Sequence, residues 1–177
     1  MIKKALFSAL TMLFCSEIFA QQESQYTQYM YNTMLFNPAY TGSREVGSLF
    51  GMFRTQWVGI SGAPTNGSIS YHQPMESLRN VGLGGSIFRE SIGPQNQTDL
   101  TIDVSYTLNF ENSKLAFGIN GSASLFQIDY NKLDVKDKTD QSLSGSESVF
   151  SPNIGAGLYW YTDKYYIGFS VPNMLET

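Results

Sequence analysis

Any proton-transfer chemistry in this 177-residue chain has one imidazole to work with, His72, the only histidine. Ser68 and Ser70 precede it on the same stretch, so a Ser-His-Asp hydrolase would have to draw its base from this point. No motif fixes a nucleophile beside the imidazole, and a polar lumen or interface residue is the stronger reading. Asp134, Asp137 and Asp140 hint at calcium, but their spacing lacks the ligand pattern of a calcium loop. Lys132, Lys136 and Lys138 are interleaved with them, as on a solvated loop. Asp99 and Asp103 read as residues that line a lumen or touch a plug rather than as an acid–base pair. The single cysteine, Cys15, falls in a leader-like segment, so the rest of the chain has no thiol chemistry. No catalytic, metal or cofactor residue is expected, and the chain reads as a non-enzyme.

The elements that carry these residues are exported ones. Lys3 and Lys4 precede an apolar run from Ala5 to Phe14, and Ile18 and Ala20 complete a cleavage site before Gln21. The run is too short to span a bilayer as a helix, so residues 1–20 are expected to be a signal peptide. Charged residues make up 15% of the chain and aromatics 14%. That balance excludes disorder, and the net charge of −4 without a basic cluster argues against nucleic acid.

Beyond the leader the pattern has period two. From Asp99 to Phe110 the even positions are Leu, Ile, Val, Tyr, Leu and Phe, and the odd positions are Asp, Thr, Asp, Ser, Thr and Asn. Side chains alternate across a strand, so one face is apolar throughout and the other polar throughout. The run is about twice the usual globular strand length. Strands are expected at Val46–Trp57, Gly67–Gln73, Val81–Glu90, Thr98–Phe110, Lys114–Asp129, Asn153–Tyr161 and Lys164–Val171. Glycines inside them (Gly82, Gly84, Gly85, Gly118, Gly121, Gly155, Gly157) suit a bend, or a place where other backbone comes close. The connections at Pro74–Asn80, Glu111–Ser113 and Thr162–Asp163 read as the shorter set and Val58–Asn66, Ser91–Gln97 and Tyr130–Pro152 as the longer, a rough alternation in which Pro74–Asn80 and Ser91–Gln97 do not differ in length. This is the outer-membrane barrel pattern of short periplasmic turns and long external loops, with the N-terminus periplasmic. Phe110, Trp160 and Tyr165 fit an aromatic girdle beside the turns. The competing architecture is a secreted β-sandwich, which also alternates.

Residues 21–45 form a separate segment, expected to plug the periplasmic mouth of the barrel or dock a partner there. Tyr26, Tyr29, Met30, Thr33 and Met34 recur at helical spacing, and Asn37-Pro38 would end such a helix. This segment also carries a resemblance. QYTQYM, with Gln28, Tyr29 and Met30, and NPAYTGS, with Asn37, Pro38, Tyr40 and Gly42, resemble the N-terminal motif of the PorP/SprF family of type IX secretion membrane proteins. The likeness continues through FRTQWVGISGAP, with Gln56, Trp57, Gly62 and Pro64, then VGLGGSIFRESIGP and IGAGLYWYTDKYYIGFSVPN. It implies an all-β, transmembrane outer-membrane antiparallel barrel in a bacterium of the Bacteroidetes type, with a short N-terminal helical segment. It also implies a role in type IX secretion and gliding motility, supporting secretion or surface attachment of specific large proteins. The partners would be other type IX secretion components, cargo proteins and outer-membrane lipid. Family chains are longer, so residues 46–177 are expected to be a barrel portion incomplete at its C-terminus. A general channel for small solutes is the alternative. The motif residues themselves are candidate partner contacts, with loop architecture the simpler role for Gln56, Trp57, Gly62 and Pro64.

Overall fold

The computed structural model describes residues 29–132 and 145–175; residues 1–20, Gln28 and Asp134, Asp137 and Asp140 lie outside them. Seven strands run in chain order: β1 Ser48–Thr55, β2 Thr65–Pro74, β3 Val81–Ile92, β4 Gln95–Asn109, β5 Lys114–Asp129, β6 Ser146–Tyr161 and β7 Tyr166–Val171. Each pairs antiparallel with the next, giving one seven-stranded meander curled into a half-barrel.

The alternation decides which face goes where. Along β4, Leu100, Ile102, Val104, Tyr106 and Leu108 point out of the curl and are exposed, whereas Asp103 and Ser105 point inward and are buried. Ile102 is 65% exposed and its neighbour Asp103 1%. The same holds elsewhere: Ile69 and Tyr71 face out from β2, while Ser68, Ser70 and His72 face in. A water-soluble sandwich would bury the apolar face. Here the apolar side is the convex, uncovered one, as a lipid-facing wall requires. No helix among the described residues is long and apolar enough to cross a membrane.

Three expectations need correction. β6 starts at Ser146 rather than Asn153, because Ser146–Pro152 pairs in register with Ala123–Asp129 of β5. That shortens the connection expected over Tyr130–Pro152. Val149 and Phe150 fall on opposite faces among Ser, Glu and Pro, so alternation gave no signal there. Ser91–Gln97 is not a long loop: Ser91 pairs with Asn96 and Ile92 with Gln95, leaving a tight hairpin at Gly93-Pro94 with Gly93 at φ +57°. The amphipathic helix ahead of the sheet is absent among the described residues. Three separate 3-10 turns stand there instead, at Tyr29–Tyr31, Thr33–Leu35 and Pro38–Tyr40. Asn32 and Asn37, both in non-helical conformations, break the run between them.

Candidate functional site: a strap across the inner face

Five strands meet the inner face in one cross-strand row of small residues. Gly82 pairs with Ser105, Ser105 with Gly118, Gly118 with Gly157, and Gly157 with Ser170. No side chain larger than a hydroxymethyl stands in that row, so it forms a groove at right angles to the strands. Phe36–Gly42 lies in this groove as a strap.

The strap advances about one strand per residue. Ser170 of β7 donates its hydroxyl to the Phe36 carbonyl, 2.6 Å. Asn37 donates from Nδ2 to the Leu158 carbonyl of β6, 2.9 Å, while its Oδ1 accepts the Ala39 N–H, 3.0 Å, and caps the 3-10 turn. Pro38 and Ala39 cover Gly118 of β5 so closely that a Cβ at residue 118 would overlap their main chain. Ser105 of β4 donates to the Thr41 carbonyl, which also covers Gly82 of β3. Last, the Gly42 N–H donates to His72 Nδ1 of β2, 3.0 Å. Gly42 takes φ +74°, and a Cβ there would meet Gly82.

Length makes the strap a test of curvature. Five inter-strand spacings, from β7 to β2, cover about 24 Å across a flat sheet. Phe36 and Gly42 are six residue steps apart, at most about 21 Å fully extended, and the 3-10 turn inside the strap shortens it further. The strap reaches both ends only as a chord of a curled sheet.

Around it stands the small apolar core. Ala39, Ala116 and Tyr159 are buried together, with Tyr40 and Tyr161 against them. Tyr40 meets Tyr159 edge-on at 5.4 Å and His72 at 5.6 Å. At the mouth, Arg44 Nε donates to Tyr40 Oη, 3.1 Å, and Lys114 pairs with Glu45 beside the Tyr161 ring. The lysine holds the Glu45 carboxyl below its ordinary range. A pocket at this end is lined by Glu45, Asn80, Asn109, Lys114 and Tyr161.

The motif residues therefore separate. Asn37, Pro38, Tyr40 and Gly42 turn into the lumen, whereas Met30 remains exposed and Tyr29 opens the first 3-10 turn. Gln56, Trp57, Gly62 and Pro64 sit beyond the far end of β1. There the Gln56 N–H bonds the Pro64 carbonyl, and Gly62 accepts from the Gly93 N–H. Trp57, at φ +48°, is 67% exposed. His72 is an acceptor for the strap, and Ser70 gives its proton to Asn32 Oδ1, so the serine and histidine are engaged separately. The two aspartates differ. Asp99 accepts from Gln97 and Ser124, while Asp103 is buried with neither oxygen bonded. The seat itself, Gly82, Ser105, Gly118, Gly157 and Ser170, was not singled out as a site by sequence reasoning. The strand glycines were its only signal.

A curled, apolar-outside sheet with a polar lumen is what a membrane β-barrel family would present. The family model described as type IX secretion system membrane protein PorP/SprF matches residues 18–177. The chain belongs to the PorP/SprF family. Comparison with curated proteins and with solved structures returned no match. As a PorP/SprF protein it is a membrane component of type IX secretion, in a family not known for enzymatic activity. For this family member the NPAYTGS motif is strap, cap and turn in one segment.

Proposed function

We propose that this protein sits in the outer membrane with its N-terminus in the periplasm. There it supports secretion or surface attachment of specific large proteins through protein–protein contacts with other type IX secretion components and cargo. The observation that carries the reading is the strap: a lumen crossed by the chain's own backbone suits a scaffold better than an open solute path. In this reading residues 21–45 plug the periplasmic mouth, Met30 and Tyr31 offer the exposed apolar surface there, and Trp57 anchors the opposite rim at the membrane interface.

Deleting the gene tests the role directly. Specific type IX cargo should be lost from the surface or degraded, while small-solute uptake stays unchanged. Normal display of every such cargo in the deletion strain would sink the proposal. The polar inner face favours the second reading, a general solute channel. Steady conductance of the full protein in planar bilayers would support that channel, and silence would support the scaffold.

A further inference from the structure

The strap is tied to four strands of the wall, and three of the ties use groups that do not titrate. Ser170 and Ser105 donate hydroxyls to the Phe36 and Thr41 carbonyls, and Asn37 donates an amide N–H to the Leu158 carbonyl. The fourth differs in kind. There the strap is the donor, through the Gly42 N–H, and the acceptor is an imidazole nitrogen, His72 Nδ1, at 3.0 Å. A ring nitrogen accepts only while it carries no proton, so the tie fixes His72 as the neutral tautomer protonated on Nε2. His72 is buried, and it is the only histidine in the chain.

Protonation turns Nδ1 into a second donor, and two N–H groups then point at each other along the same line. A serine hydroxyl or an asparagine oxygen could hold the Gly42 N–H without this liability. Histidine is the acceptor that changes state between about pH 5 and 8. The charged groups around the imidazole offer no replacement bond. From the strap, Tyr40 meets the ring edge-on at 5.6 Å, and Arg44, bonded to Tyr40 Oη, brings a like charge. Ser48 of β1 and Gly84 of β3 stand on either side of His72 and carry no charge. Asp103 of β4 lies on the same row beyond Gly84, but Met34 Sδ and the Thr41 methyl sit over that glycine. At the mouth, Lys114 and Glu45 are paired with each other. An imidazolium formed under the seated strap thus faces a donor and a cation, and the carboxylate on its row lies behind the strap's own side chains.

We propose that His72 is an acid-released latch for the near end of the strap. Neutral, it holds Gly42 to β2; protonated, it lets Gly42–Glu45 leave the wall while Ser170, Asn37 and Ser105 keep the rest seated. The bound form is the unprotonated one, so the latch is complete at mildly alkaline pH and opens as pH falls. Release widens the mouth pocket, which Gly42 and Glu45 line opposite Asn80, Asn109 and Lys114. The latch is separate from the secretion role and survives or fails independently of it.

The test is amide exchange at Gly42 in the full, untagged protein in detergent micelles, from about pH 8 down to about pH 5. Rates are corrected for the intrinsic pH dependence of exchange, and the single imidazole is titrated in parallel by NMR on histidine-labelled protein. Glu45 stays ionised throughout this window, because Lys114 holds its carboxyl below the ordinary range. Gly42 protection should fall about tenfold, with the same midpoint as the His72 titration. His72→Asn puts an amide oxygen in place of Nδ1 and should stay protected at every pH, whereas His72→Ala should be unprotected at every pH. Asp103→Asn, which removes the other buried titratable group on the row, should keep the wild-type response. Gly42 protection that ignores pH while His72 titrates overturns the proposal, and so does an imidazole that does not titrate in the window. An undiminished acid response in His72→Asn, or its loss in Asp103→Asn, assigns the proton elsewhere and overturns it too. If a variant does not fold, the two wild-type midpoints decide alone.

Discussion

Ala39 lies on Gly118. The two residues are far apart in sequence, yet the strap backbone at Ala39 occupies the space in which any side chain at residue 118 would begin. The strand is glycine there because another part of the chain needs the room.

Gly118→Val should therefore unseat the strap, at a cost of about 1–3 kcal/mol as in other overpacked sites. Gly121, three residues on and facing open space, is the internal control. Gly121→Ala should stay within about 0.5 kcal/mol of the wild type. Protease cleavage after Tyr40 or Arg44, compared in folded protein, reads the difference. Equal protection in both variants would contradict the seat.

Asn37 holds both ends of its amide, Nδ2 on the Leu158 carbonyl and Oδ1 on the Ala39 N–H. Asn37→Ala removes both and leaves buried groups unpaired, costing about 1–3 kcal/mol. Asn37→Asp keeps the turn cap but turns a donor into an acceptor facing a carbonyl. It should be no better tolerated than alanine, as measured by the unfolding midpoint in micelles.

The convex face should reject charge. Ile102→Lys is expected to cost about 2–4 kcal/mol if residue 102 lies near the bilayer midplane, whereas Ile102→Leu should assemble normally. Membrane-inserted yield against total expression separates the two.

Glu45 gives a pH dependence. Its carboxyl is held below the ordinary glutamate value of 4.5, chiefly by the hydrogen bond and charge of Lys114. A depressed folded value means the pair's contribution is complete above the unfolded value and fades as pH falls through the folded one. Glu45 is exposed, so the effect is small and screened by salt. Acidification should loosen the junction between strap and β1 in the wild type and leave Glu45→Gln indifferent, read by amide exchange at Val46 and Gly47.

Much of the wall was legible in sequence and little of the strap's seat. The strict alternation of Asp99–Phe110 places every side chain of β4 on its face, because period two has no other reading in an extended chain. Ser146–Pro152 hid the start of β6, since its two apolar residues, Val149 and Phe150, fall on opposite faces among Ser, Glu and Pro. The glycines announced a close approach without naming the visitor. Asn37 meets Leu158 across 121 residues, and no local pattern encodes such a meeting. The same blindness covers Asp99 and Asp103, alike on paper. Their difference lies in Gln97 and Ser124 on one side and Gly84 on the other.

The strap also sets an order of events. Its far end is tied to Ser170, 134 residues downstream, and its near end to His72. The near tie needs only β2, but the far tie cannot form before β7 is in place, and closing so long a loop is slow and late. The first described part of the chain is thus the last to come to rest. Until then Met34 and Tyr40 stay available to whatever escorts the unassembled polypeptide, and their packing against the inner face marks an assembled wall.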